Sequence, residues 1–269
     1  QRMYDFQRGH LNFEIERLYA DENWPLKLER LLGYFERDAQ LRDILITGGD
    51  AFMSTDRTLR QIFDGVVEMA ERKRRANRRR RDGEKLAELV RVRLGTRLPA
   101  YLPQRITPRL VEALAAFRER AARAGVRQFV IQTHFESAME LTPDAVRAIR
   151  RLQSAGWLVT NQLVFTAAAS RRGHTAKLRK ALSEIGVLPY YTFTVKGFRE
   201  NEHVFVPNAR SVQEQIEEKA LGRLSKRQIG DLVELAARPR ALPADLRRWL
   251  DDADNPFVAS DRSVLNLPG

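Results

Sequence analysis

Along the chain, short runs of consecutive apolar residues alternate with longer stretches whose apolar residues return every three or four positions. The first pattern marks strands of a parallel sheet, the second helices that pack on it by one face. Asp43-Ile44-Leu45-Ile46-Thr47 reads as a short strand buried on both faces, preceded by helical spacing at Phe13 to Tyr19 and Leu26 to Phe35. Leu59 to Met69 is an amphipathic helix, and Leu89 to Leu94 alternates as a strand. Thr107-Pro108 predicts a capped helix start, with Gly125 as its stop. Strands follow at Gln128 to Phe135, Trp157 to Phe165 and Leu188 to Val195. Between them lie one helix opened by Thr142-Pro143-Asp144 and closed by Gly156, and a basic one at about 174–185, ended by Gly186. Further helical stretches are expected at 211–222, 225–237 and 243–252.

This alternation implies parallel strands joined by right-handed crossovers. A doubly wound sheet and a barrel both satisfy it. Polar groups recur where the strands end: Gly48-Gly49-Asp50, Thr96-Arg97, Thr133-His134, Asn161-Gln162 and Thr194-Lys196. Strand ends that converge on one site are a barrel trait, so the expected fold is a partial (β/α) TIM-like barrel with a helical C-terminal tail. Gly-Gly permits a sharp turn without Cβ atoms, and Ser54-Thr55-Asp56 supplies a helix cap. An ordinary capped β–α turn has the same signature, so the other strand ends must carry the case. The expected division is a barrel portion at 1–197, a basic insertion at 71–85 and an extension at 198–269.

Composition narrows the classes. With 269 residues, 43% hydrophobic and 30% charged, the chain is globular. No apolar run approaches the roughly 18 residues of a membrane span, and no signal-peptide pattern opens the chain. It starts at Gln1 without Met and stops at Pro268-Gly269, which reads as a piece of a longer protein. The absence of cysteine removes disulfides and thiolate metal ligands from these residues, and a cytoplasmic location is the default expectation. Half of the net charge of +12 lies in residues 71–85, nine Lys/Arg against three Asp/Glu. Without an apolar face, that run is expected to be a solvated helix extension or loop. It could bind a polyanion, but it lacks the aromatic residues of a base-stacking surface, which does not favour nucleic acid.

RDILITGGD, GTRLPAYLPQRITP, QTHFE, NQLVF and LPYYTF, in this order between Leu41 and Tyr191, resemble successive strand ends of the lysine 2,3-aminomutase (KamA-like) radical S-adenosylmethionine family. The resemblance implies a partial barrel with a [4Fe-4S] cluster and S-adenosylmethionine. It also implies pyridoxal phosphate in aminomutase members, an amino-acid substrate and a reductant such as flavodoxin or ferredoxin. The implied chemistry is hydrogen abstraction with 1,2-amino migration, and a homo-oligomer is compatible with it. By the same resemblance Gly48, Gly49, Asp50, Thr96, Arg97 and Gln162 are expected to face S-adenosylmethionine. His134 and Tyr191 are expected to line the substrate cavity. Without the resemblance, His134 reads as a hydrogen-bonded structural histidine and Tyr190-Tyr191 as core.

Three departures from the family pattern stand out. The cluster motif CxxxCxxC is absent, and the resemblance places it before Gln1, so that Arg2 matches the family's carboxylate-binding arginine. The glycine-rich lysine motif that anchors pyridoxal phosphate is also absent. The family's acid that receives the lysine ε-ammonium aligns with Lys196, a cation, which points away from lysine as substrate. Two readings from other classes stay open: a polyanion-binding α/β protein that uses 71–85, and a barrel lyase or aldolase with Lys196 as Schiff base.

Overall fold

The computed structural model describes residues 23–47, 49–167, 169–171, 173–193 and 225–236, with Asp245, Arg248 and Trp249. Five strands form one parallel sheet in chain order: β1 (Asp43–Ile46), β2 (Arg91–Gly95), β3 (Gln128–Thr133), β4 (Leu158–Val164) and β5 (Leu188–Phe193). The crossovers are helical: α2 (Asp56–Asn77), α3 (Pro108–Arg123), α4 (Pro143–Ser154) and α5 (His174–Glu184). The first described helix, α1 (Trp24–Arg37), precedes β1, and α6 (Lys226–Ala236) is the helix described in the tail. The expected α/β architecture is present as an open partial barrel, with β1 and β5 at the two edges of the sheet. Among the described residues, no helix is long and apolar enough to cross a membrane.

Local signals start the helices. Thr55, Thr107 and Thr142 each accept the backbone N–H three residues on, and Pro108 and Pro143 occupy the first turns they prefer. Strand pairing then sorts the faces. Ile46, Leu94, Ile131 and Val159 align across β1 to β4 and pack under the helices. Phe63, Phe117, Phe129 and Trp157 form the aromatic centre of that layer, with the Phe63 and Phe117 rings stacked at 4.4 Å. Burying each such side chain stabilises the fold by roughly 1.5–3 kcal/mol. The row on the other face is Leu45, Arg93, Val130 and Leu158. Among the described residues no helix covers that face, and Leu45 is 41% exposed. β1 is therefore buried on one face only, against the expectation of two. An apolar run cannot say which of its two faces a helix will cover.

The basic run needs a second correction. α2 does extend into it, to Asn77, but Lys73 and Asn77 are only 2% and 4% exposed. Lys73 Nζ donates to the carbonyls of Phe35 and Asp38 at 2.9 and 2.8 Å and so closes the C-terminal end of α1. The Asn77 side chain donates to Leu86 O and accepts from Leu86 N, which fastens the segment that returns to β2. Burial holds the Lys73 pKa below the usual lysine value, with Asp38 and Glu36 opposing the shift. Replacing 71–85 by a Gly/Ser linker should therefore cost about 3 kcal/mol or more, because several buried polar groups lose their partners. Replacing 78–84 alone should cost less than about 1 kcal/mol. Urea unfolding of the two variants checks this, and equal stabilities would restore the fully solvated reading.

Candidate functional site

The site is built where the strands end. Gly49 follows β1 with φ +94°, a left-handed conformation that favours glycine, and a Cβ there would meet no atom within 4 Å. The glycine thus serves the turn, and the space beside it is open. Asp50 caps a single 3₁₀ turn, Ala51–Met53. Its Oδ1 accepts from Phe52 N at 2.9 Å and from the Thr96 hydroxyl at 2.7 Å, while Oδ2 accepts from Arg97 N at 2.5 Å. Three of the roughly four acceptor positions of a carboxylate are thereby engaged within the chain, which leaves one for a ligand. Asp50 joins the end of β1 to the end of β2. Arg105 supports the same loop by donating to the carbonyls of Phe52 and Ser54 and to Asp56.

Arg97 is the cation of the site. Its guanidinium meets Glu136 at 3.0 Å and lies 4.5 Å from the centre of the Tyr101 ring. Its Nε is buried and has no hydrogen-bond partner. A charged donor left unpaired in a buried place is costly unless something fills it. Burial raises the pKa of Glu136, with Glu140 adding to the shift and Arg97 opposing it.

His134 follows β3 and is half-buried. Burial and the nearby Arg97 lower its pKa, against a hydrogen bond with the Gln162 backbone and the charge of Asp50. It is therefore neutral at pH 7, with one ring nitrogen as donor and one as acceptor. Because the folded pKa lies below the unfolded value, this histidine favours folding fully above about pH 6.5. That contribution is lost as the pH falls through the depressed folded pKa. The His134 proton resonances should titrate below pH 6.5 in the native protein, and a midpoint at or above that value would contradict the assignment.

The Asn161-Gln162 pair divides its work. Asn161 is buried on the helix side, where Oδ1 accepts from Phe135 N at 2.7 Å and Nδ2 donates to Phe135 O at 3.0 Å. It pins the turn that presents His134. Gln162 lies on the other face of β4, half-buried, in register with Tyr191 across a bulge in the β4–β5 pairing. Tyr190 and Tyr191 are 62% and 51% exposed, so the core reading of these two fails. The structure brings Asp50, Thr96, Arg97, His134 and Gln162 to one end of the sheet, with Tyr191 beside Gln162 on the edge strand. Gly48, Arg2 and Lys196 lie outside the described residues. Glu136 and Asn161 were both inside quoted motifs and were missed as functional side chains. A carboxylate two residues after His134, and an amide among apolar strand neighbours, were the available signals.

An open parallel β/α sheet with charged, hydrogen-bonded groups gathered at the C-terminal ends of its strands defines the class, a partial β/α barrel. Sequence comparison then gives the family. The chain is 32% identical, over 87% of its length, to an uncharacterized KamA family protein of Methanocaldococcus jannaschii, of which it spans 35%. It is 29% identical to L-lysine 2,3-aminomutase of Clostridium subterminale over 72% of this chain and 41% of that enzyme. It is 28% identical to glutamate 2,3-aminomutase of Clostridioides difficile over 65% of this chain and 36% of that enzyme. No family model matches the chain. The chain belongs with the KamA-like proteins and spans 35–41% of the length of these three relatives.

Proposed function

We propose that this chain is the central β/α portion of a KamA-like radical S-adenosylmethionine aminomutase that acts on an amino acid other than lysine. The observation that carries the reading is the joining of the first four strand ends through Asp50, Arg97, His134 and Gln162, in the same order as their motifs. The residues present fit S-adenosylmethionine at the rim. The buried, unpaired Nε of Arg97 is a donor in search of an acceptor, the amide of Gln162 adds a donor and an acceptor, and the space beside Gly49 is open. The remaining acceptor position of Asp50 suits an ammonium group. Together with a reduced [4Fe-4S] cluster, S-adenosylmethionine supplies the hydrogen-abstracting species. The chain has no cysteine, so thiolate ligands for such a cluster must come from residues outside these 269. Arg97, held by Glu136 and Tyr101, orients an anionic group, and neutral His134 can hold or pass a proton beside it. Pyridoxal phosphate and a small electron-transfer protein belong to the same proposal for the parent protein.

Calorimetry with S-adenosylmethionine on residues 1–269 tests the site. Binding is expected, weakened about tenfold or more by Arg97→Ala and by Gln162→Ala, as each removes hydrogen bonds to a charged ligand. Absence of binding, or binding as tight as wild type in both variants, would overturn the assignment of this rim.

A further inference from the structure

The open face of the sheet holds a second feature, which starts at the N-terminal ends of the strands and stops short of Asp50 and Arg97. A cavity of about 530 Å³ is lined by β2 to β5 as far as Arg93, Gln132, Thr160 and Tyr190, and by Arg118 of α3 and Arg127 after it. That volume is typical of small-molecule sites. Four arginines face it: Arg91 and Arg93 from β2, Arg118 from α3 and Arg127 just before β3. No carboxylate side chain lines it.

Charge balance decides what it suits. Asp43, next to the cavity on β1, meets Arg93 at 2.9 Å and Arg91 at 3.5 Å, so one carboxylate serves two guanidinium groups. The other two have no acidic partner among the described residues. Arg118 has its guanidinium 5.8 Å from the Phe129 ring centre, and Arg127 makes no ion pair there. Arg120 and Arg123, on the same helix as Arg118, do have such partners, Asp64 and Glu119. Four cations against one anion leave about three positive charges unbalanced. Val130, Leu158 and Leu188 supply an apolar wall from the open face, and Phe129 joins it at the strand ends from the helix side. A lone halide or monocarboxylate would leave most of the charge unmet, and a purely inorganic ion would leave the apolar wall unused.

We propose that this cavity binds a small organic polyanion, a molecule with two or more carboxylate or phosphate groups on a short apolar frame. Arginine forks match both groups in bidentate geometry. The site does not depend on the aminomutase reading, since it shares no residue with the rim at the C-terminal strand ends.

Calorimetry on the 269-residue chain at low ionic strength tests it, with citrate as the carboxylate probe and 1,3-propanediol bisphosphate as the phosphate probe. At least one should bind with Kd below about 1 mM, and the one that binds tighter identifies the anionic group. Arg118→Ala and Arg127→Ala should each weaken binding about tenfold and together about a hundredfold. Arg80→Ala, outside the cavity, should leave Kd unchanged. Should the alanine variants not fold, Arg118→Lys and Arg127→Lys keep the charge but not the fork, and a loss of about fivefold is expected. The proposal is overturned if neither probe binds. It is equally overturned if the cavity variants bind like wild type, or if Arg80→Ala weakens binding as much as they do.

Discussion

Asn161→Ala is expected to lower the free energy of unfolding by about 4 kcal/mol. The substitution strands the Phe135 N–H and C=O, which Asn161 satisfies at 2.7 and 3.0 Å in a place where Phe135 is fully buried. Each buried polar group left without a partner costs roughly 1–3 kcal/mol. Thr133 suffers little, because its hydroxyl keeps a 2.9 Å bond to Thr160 O. Gln162→Ala, one residue on, removes a half-buried side chain from the open face and should cost less than about 1 kcal/mol. Urea denaturation of the two variants compares them directly. The neighbours are thus expected to separate cleanly, stability lowered at 161 and ligand binding weakened at 162. Similar stabilities would mean that Asn161 is not the pin of the His134 turn.

The second large effect concerns substrate choice in the parent protein. If Lys196 presents a cation where the resembling enzymes present a carboxylate to the distal ammonium of lysine, two like charges about 4 Å apart repel by ~4 kcal/mol at an effective dielectric of 20. Loss of the former attraction adds to that. Even half of the total weakens lysine binding by more than about a hundredfold. A distal carboxylate, as in glutamate, would instead find a partner, and a glutamate 2,3-aminomutase is among the relatives of this chain. The intact protein should turn over glutamate in preference to lysine, and Lys196→Asp should reverse that order. Efficient turnover of lysine by the wild type would end the argument.

Much of this architecture is determined locally and was legible in the sequence. Helix starts at Thr55, Thr107 and Thr142 rest on a side chain that caps its own backbone, and glycine stops at Gly125, Gly156 and Gly186 rest on positive φ. Apolar runs of strand length and the repeated strand–helix order sufficed for a parallel sheet, and polar residues at each strand end marked where its site would form. What the sequence could not decide was which face a side chain would serve and which distant group it would meet. Ile44 and Leu45 are equivalent in an apolar run, yet only Ile44 lies under the helices. Lys73 is one of nine cations in a basic run, and two carbonyls more than thirty residues away make it a buried helix closure. Asn161 and Gln162 are adjacent amides that pleating sends to opposite faces, one to hold a turn and the other to the site. Burial, pairing and charge balance depend on contacts between residues far apart in the chain, and only the tertiary structure sets those.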